Sequence, residues 1–591
     1  MAVNYYEQFL AKRGFTSEVL ADLFDNAKPT LFGTDDFCEL LHGLPRDTAI
    51  GQISDYDTDG VISDVIKYVG LHLAGFTNMH ISKRYVEKGY SFTRDDIDAL
   101  GDIKLLITSD VGIACFDAID YAKSKGITVV VTDHHKIAND SITKNHADII
   151  IDYSVEMDPT CNFGSNTELY PMVDVCGAYT IYQVFERYFE LYGSEYANIK
   201  EIQSDLVKLR HLAAIATVSD SMPLIKINHC IVSEMLHFYN YINPANGNDV
   251  IVKSVCDDPI LQNVYNNMHI FIRECADMYY TGFDMKFLEY GVIPVINTIK
   301  RMCDDVSTIY NMFFGTEEQA QEAATYLVEL NTKRKLMVND IFQRMYVEHI
   351  GQPYQDIIYM TEAPSGILGL LAAKVMNETE TPVVVLSKDP RFDDETCDYV
   401  YDGSIRSPYW YPFFSRVMTS KFAKCAGHEQ ACAITVPARN LPALYDFLRT
   451  DMQKYADFKD RPVTRSKIYD DFDIKLDYDV NYLDFLMDID SLMYNLKQLA
   501  PFGSGFPEPT MVLSFNKQFG AFSTLKENKH VKISLSRYFD VLLWNTPLDD
   551  VMRSSFDDKL YVKGYLTESY FNGERIVNFI ATPLYDGSEL E

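Results

Sequence analysis

Apolar and polar positions alternate with different periods along this chain, and each period marks a different kind of element. In the first 45 residues Tyr5, Phe9, Leu10, Leu20, Leu23 and Phe24 recur at helical spacing, which predicts a covering helical element. From residue 48 the pattern changes to short apolar runs at 48–54, 103–108, 128–132 and 148–152, separated by helical stretches. Runs such as Thr128-Val-Val-Val-Thr132 do not alternate, which suits parallel strands covered on both faces. Strands alternating with helices predict a doubly wound α/β sheet, whose ligands collect beyond the carboxyl ends of the strands.

Residues 224–290 read as helical and aromatic-rich, a core and connector. A long spacer helix is predicted over 316–345. It opens on the capping box Thr316-Glu-Glu-Gln319 and carries Ala320, Ala324, Leu327, Leu330, Met337, Ile341 and Met345 at helical spacing. Apolar runs return at 357–360, 382–386 and 399–404, a second α/β region. The last 120 or so residues read as short strands at 510–515, 531–535, 540–544, 560–566 and 575–580. With turn signals such as Asn572-Gly573, they predict a small β-barrel. The chain is therefore expected to be α/β and multidomain. Its predicted parts are an N-terminal helical element (1–45), a parallel-sheet domain (46–235), a helical connector (236–350), a second α/β domain (351–455) and a linker with barrel (456–591). A chain of 591 residues is too long for one core.

Composition narrows the class. The 47% hydrophobic and 23% charged content is that of globular proteins rather than disordered ones. No uncharged apolar run is long enough to cross a bilayer, and the start lacks the basic and apolar segments of a signal peptide, so a cytoplasmic protein without membrane contact is expected. Eleven cysteines without a C-x-x-C pair indicate neither a zinc knuckle nor a disulfide framework. The formal charge of −32 argues against a polyanionic ligand at long range, but it does not set the potential inside a cleft.

The chemistry gathers at the element ends. The first run ends in Asp55-Tyr-Asp57-Thr-Asp59-Gly60, three carboxylates closed by a glycine that would allow a tight turn. The second ends in Ser109-Asp110-Val-Gly112-Ile113 and the third in Asp133-His134-His135, while the helical stretch 209–218 ends in Ser219-Asp220. Carboxylates and imidazoles thus converge on one predicted sheet edge. Hard oxygen donors with imidazole suit Mn²⁺ or Mg²⁺. Adjacent histidines on irregular backbone point apart, so one can bind metal while the other faces a substrate oxygen.

The order Asp-x-Asp-x-Asp-Gly, Ser-Asp-x-Gly-Ile, Asp-His-His and Ala-x-x-Thr-Val-x-Asp resembles the four motifs of the DHH phosphoesterase superfamily. Within it the chain resembles the RecJ family of single-strand-specific exonucleases. Later segments extend the likeness: Pro294-Val-Ile-Asn297-Thr-Ile-Lys-Arg301, Gly366-Ile-Leu-Gly369-Leu-Leu-Ala-Ala-Lys374, Gly403-Ser404-Ile-Arg406-Ser407, Ala426-Gly427-His428 and Pro501-Phe-Gly-Ser-Gly-Phe-Pro-Glu-Pro509. Departures are Lys300 in place of a small residue, Ala426 and Ala433 in place of glycines, Phe506 in place of Asn, and a loop at Arg84–Tyr90 that is one residue longer.

The resemblance implies a parallel-sheet DHH domain, a connecting helix, a DHH-associated substrate domain and a C-terminal OB-type barrel. The implied activity is 5′→3′ hydrolysis of single-stranded DNA in repair, recombination or replication, by two divalent ions, Mn²⁺ or Mg²⁺, about 4 Å apart. The expected metal ligands are Asp55, Asp57, Asp59, Asp110, His134 and Asp220. Asp110 would be shared between the ions, and Asp55 would act either as ligand or as orienter. His135 would face the scissile phosphate and Asp133 would hold an imidazole, so that Asp110, Asp133 and His135 form the catalytic set. Arg84, Asn297, Arg301, Ser404, Arg406, Gly427 and His428 would grip the substrate. Single-strand-binding protein or helicase partners are implied only by family. A monomer is expected, and the divergence and acidity suggest a phage-encoded protein. The alternatives are another DHH phosphodiesterase, acting on short oligonucleotides or cyclic dinucleotides, and a non-catalytic replication factor on the same fold.

Overall fold

The computed structural model describes residues 4–28, 31–82, 91–135, 145–153, 174–242, 256–276, 283–302, 304–348, 357–379, 381–393, 397–408, 410–427, 430–455, 472–478, 482–526, 529–553, 555–556, 558–571 and 574–583. The chain divides into two compact units. One comprises Lys28–Pro223 and Ile231–Lys459, the other Met1–Ala27, Leu224–Cys230 and Asp460–Glu591.

The first unit holds a sheet of β1 (Ile50–Ser54), β2 (Met79–Ile81), β3 (Leu105–Ser109), β4 (Thr128–Asp133) and β5 (Ile149–Asp152). Their order is β2-β1-β3-β4-β5, and every pairing is parallel. All five residues of β1 and of β3 are buried, the polar Gln52, Ser54, Thr108 and Ser109 among them, as in parallel strands covered on both faces. One face packs on Phe92, Ile97, Leu100, Ile119 and neighbours. The helices Thr58–Leu73, Gly177–Tyr192 and Ile199–Ser219 pack together around Val65, Val69, Phe185 and Leu212, all fully buried. The register sets Ser54 beside Ser109, Ser109 beside Thr132 and Asp133 beside Asp152, so the carboxyl ends of these strands lie nearly level. The candidate site lies at that edge.

The same unit continues through the helix Glu317–Glu348, about 48 Å of helix at 1.5 Å per residue. Its capping box forms as its sequence dictates: Gln319 N–H donates to Thr316 Oγ1 (3.3 Å) and Thr316 N–H to Gln319 Oε1 (2.9 Å). A second sheet follows, of β6 (Ile358–Thr361), β7 (Val383–Ser387), β8 (Arg391–Asp393), β9 (Asp398–Arg406), β10 (Lys424–Gly427) and β11 (Ala431–Pro437), ordered β10-β11-β9-β7-β6 with β8 on β9.

The second unit is built on an eight-stranded mixed sheet: β12 (Ile474–Tyr478), β13 (Met511–Asn516), β14 (Ala521–Leu525), β15 (His530–Ser536), β16 (Phe539–Leu543), β17 (Ser555–Phe556), β18 (Lys559–Phe571) and β19 (Glu574–Pro583). Leu513, Phe515, Ile533, Val541, Leu560 and Phe579 fill its core. The helix Tyr5–Arg13 belongs here too, burying Tyr5 and Phe9 in that core and pairing Arg13 with Asp473 at 2.7 Å. The helical element expected over 1–45 is thus divided, because the helix Thr34–Gly43 packs in the first unit against Gly177–Tyr192. Among the described residues no helix is long and apolar enough to cross a membrane. The described cysteines are all free thiols.

Candidate metal centre

The first acidic segment lies between β1 and the helix Thr58–Leu73, and the helix start fixes its shape. Asp57 is the N-cap, accepting from the Gly60 N–H at 3.3 Å. Gly60 does not close a tight turn, as its place after three aspartates suggests, but lies inside the first helical turn. It must lack a side chain because a Cβ there would stand 2.1 Å from the Asp55 carbonyl oxygen. Asn297, expected among the substrate contacts, turns its amide oxygen to this helix start instead. It accepts from the Thr58 backbone N–H and hydroxyl, both at 2.9 Å.

Three sets of side chains come within metal-binding reach, with ligand atoms all within 4.8 Å of one another in each: Asp59, His134 and Asp220; Asp110, His134 and His135; Asp55, Asp57 and Asp110. His134 Nε2 lies 3.1 Å from Asp220, 3.2 Å from Asp110 and 3.6 Å from Asp59. Asp110 turns off the end of β3 with φ +56°, a left-handed conformation uncommon outside glycine. Asp220 caps the C-terminus of the helix Ile199–Ser219. Asp59 receives two backbone N–H groups from the start of the helix Gly177–Tyr192, Gly177 at 2.7 Å and Ala178 at 2.8 Å. Asp133 accepts from the backbone N–H groups of Ile113, His134 and His135, and lies 2.8 Å from His135 Nδ1. It orients the His135 ring from behind.

Burial and mutual repulsion set the electrostatics of this cluster. Burial, reinforced by Asp220, pushes the Asp59 carboxyl up to about 7. Burial and then Asp59 push Asp110 well above the usual carboxylate range. Burial disfavours charge on His134, but the Asp110 and Asp220 carboxylates outweigh it and hold its pKa well above the ordinary value. Burial also opposes charge on Asp57, but the Lys300 ammonium overrides it and keeps this carboxyl below its usual value. Buried carboxylates that repel one another, beside imidazole, form a donor set that fits a hard divalent cation.

On the side of the second sheet, Ser404 and Arg406 share one face of β9, and Arg406 Nη1 donates to Ser404 Oγ at 3.0 Å. Burial, then repulsion from Arg334 and Arg406, lowers the Arg301 pKa to about 10. Arg334, on the long helix, donates to Asn331 at 2.9 Å and 3.1 Å. Three guanidiniums thus gather, and among the described residues none is ion-paired to a carboxylate. Gly427 ends β10, paired with Cys432 on β11. Arg84 and His428 lie outside the described residues. Lys300, Arg334 and the Gly177–Ala178 amides are not legible as site groups from sequence. Only the departure at position 300 pointed toward one of them.

A sequence profile described as the DHH family, N-terminal domain, matches residues 50–215, and one described as the RecJ OB domain matches 485–582. The chain is 24% identical over 497 residues to the single-stranded-DNA-specific exonuclease RecJ of Haemophilus influenzae, covering 81% of this chain and 77% of that protein. To the protein of the same name from Bacillus subtilis it is 23% identical over 552 residues, covering 89% of this chain and 60% of that one. The fold matches the crystal structure of RecJ in complex with Mn²⁺ from Thermus thermophilus at TM-score 0.68 and 18% identity, over 98% of this chain and 75% of that chain. A Mg²⁺ complex from the same organism matches at TM-score 0.63.

Proposed function

This chain is a RecJ-like member of the DHH family, and from that premise we propose that it is a metal-dependent exonuclease of single-stranded DNA. The observation that carries the reading is the convergence of Asp55, Asp57, Asp59, Asp110, His134 and Asp220 at one level sheet edge. Mn²⁺- and Mg²⁺-bound relatives of the same fold and the RecJ OB match at 485–582 support it. Bound ions would supply Lewis-acid activation of water and neutralise charge on the phosphate.

In this reading Asp59, His134 and Asp220 would hold one ion and Asp55 and Asp57 another, with Asp110 within reach of both sets. Asp133 keeps the His135 ring turned toward the scissile phosphate, where its second nitrogen serves the phosphate oxygens. Asn297 positions rather than binds, since its amide oxygen fixes the start of the helix that carries Asp59. Arg301, Arg334 and Arg406, with Ser404, form the phosphate grip: an unneutralised guanidinium cluster takes its counter-ion from the ligand. Such a grip on one strand end makes the cut exonucleolytic. The 5′→3′ polarity, the role in repair, recombination or replication, the cytoplasmic setting and single-strand-binding protein or helicase partners rest on the family resemblance.

The test is digestion of 5′- and 3′-labelled single strands with Mn²⁺, beside an Asp110→Ala, His134→Ala double variant. The wild type should release label first from the 5′ end, and the double variant should fall by at least ~10²-fold. Undiminished activity in the double variant would refute the site. Release first from the 3′ end would refute the polarity alone.

A further inference from the structure

Lys300 occupies a place in the centre that a divalent cation could claim. It rises from the short helix Thr298–Met302, and its Nζ lies 2.9 Å from Asp55 Oδ2 and 3.1 Å from Asp57 Oδ2. The same ammonium stands 5.0 Å from the centroid of the Tyr56 ring, so three consecutive residues cradle it. Asp55 and Asp57 are two of the three members of one metal-binding set, the third being Asp110. Among the described residues, the other carboxylate-rich set, Asp59 with His134 and Asp220, forms no ion pair with a lysine or arginine.

The two sets are therefore unequal. An ion entering the Asp59 set meets only the imidazole of His134, which is itself one of the ligands. An ion entering the Asp55–Asp57 set must displace a bound ammonium from both carboxylates. The Lys300 side chain is 35% exposed, on an unbranched and flexible stem, so it has somewhere to go. Its neighbour in sequence, Arg301, belongs to the guanidinium cluster. A phosphate drawn to that cluster would be an alternative partner for the displaced ammonium.

We propose that Lys300 is a built-in counter-cation that holds the Asp55–Asp57–Asp110 position against a divalent ion in the DNA-free protein, so that the two ions load in sequence rather than together. The Asp59–His134–Asp220 position fills first. The second ion enters as Lys300 leaves for a substrate phosphate, which ties completion of the centre to the arrival of substrate. This rests on the metal-dependent reading above.

The test uses the full chain with Mn²⁺ alone, read by isothermal titration and by electron paramagnetic resonance. Wild type should bind one equivalent at least ~10-fold more tightly than the second, and spin coupling between two ions should appear only beyond the first equivalent. Lys300→Met keeps the stem and removes the charge; it should tighten the second equivalent at least ~10-fold, while Lys300→Arg should keep the two steps apart. Superimposable wild-type and Lys300→Met isotherms would overturn the proposal. Coupled ions from the first sub-stoichiometric addition to wild type would also overturn it, and that measurement needs no variant to fold. A parallel digestion of single-stranded DNA separates the two readings. Stepwise loading without hydrolysis refutes the nuclease function and leaves the role of Lys300 standing, whereas hydrolysis with simultaneous loading refutes that role alone.

Discussion

A single missing side chain sets the distance between two parts of the centre. A Cβ on Gly177 would stand 2.7 Å from Asp110 Cβ and 3.0 Å from its Cα, closer than packed atoms tolerate. The same residue donates its N–H to Asp59. Gly177→Ala therefore presses on the strained Asp110 and tilts the amides that hold Asp59, with the fold otherwise intact. We expect Mn²⁺ affinity to fall about 10–100-fold by isothermal titration, as when supporting groups of a metal site are disturbed. The accompanying loss of stability should be about 1–3 kcal/mol, the usual cost of overpacking. Unchanged affinity would show that this close approach does not place Asp110. A glycine at the start of a helix carries no such message in sequence, because the atom it must avoid belongs to a residue 67 positions earlier.

At the scale of elements, the joint between β1 and the helix after it is held by a buried ion pair. Lys67 and Asp64 are fully buried and 3.0 Å apart. Lys67 Nζ also donates to Ser54 Oγ (2.8 Å) and the Ile53 carbonyl (3.2 Å), and the Tyr310 hydroxyl donates to Asp64 (2.6 Å). Removing one partner strands the other charge in the core, so Lys67→Met should cost about 3–5 kcal/mol in denaturant unfolding. The double variant Asp64→Leu, Lys67→Met should recover most of that loss. A single-variant cost below about 1 kcal/mol, the range of exposed pairs, would contradict this account. In sequence these two residues look like an ordinary solvated i,i+3 pair. The parallel strands were legible because burial on both faces demands an unbroken apolar run, and the long helix because its cap and period agree. By contrast β2 and β8 are three-residue strands, and β14 is largely exposed, so none carries an apolar signature. The aspartates and histidines that the structure brings within reach of one another could be singled out because their segments follow such a run or a helix. Lys300 and Arg334 were not, because their significance comes from residues that the fold brings opposite them.

For the whole molecule, charge decides how a polyanion approaches. With 85 acidic against 53 basic residues the chain carries −32, so the long-range field would repel DNA, while the proposed guanidinium grip would attract it locally. The two effects separate with ionic strength, since the Debye length shrinks from about 30 Å at 0.01 M salt to about 8 Å at 0.15 M. Over that range the repulsion is screened first, whereas contacts made within a few ångströms of partly buried guanidiniums survive. The association rate for a labelled single strand, measured by stopped flow in EDTA so that no cleavage intervenes, should therefore rise with salt. A basic nucleic-acid binder shows the opposite trend. The dissociation rate should rise as well, because the remaining phosphate contacts weaken. Arg301→Ala and Arg406→Ala should raise dissociation further while leaving the upward trend in association unchanged. An association rate that falls steadily with salt would mean that the approaching strand meets a positive surface, and that the net charge misdescribes the path it takes.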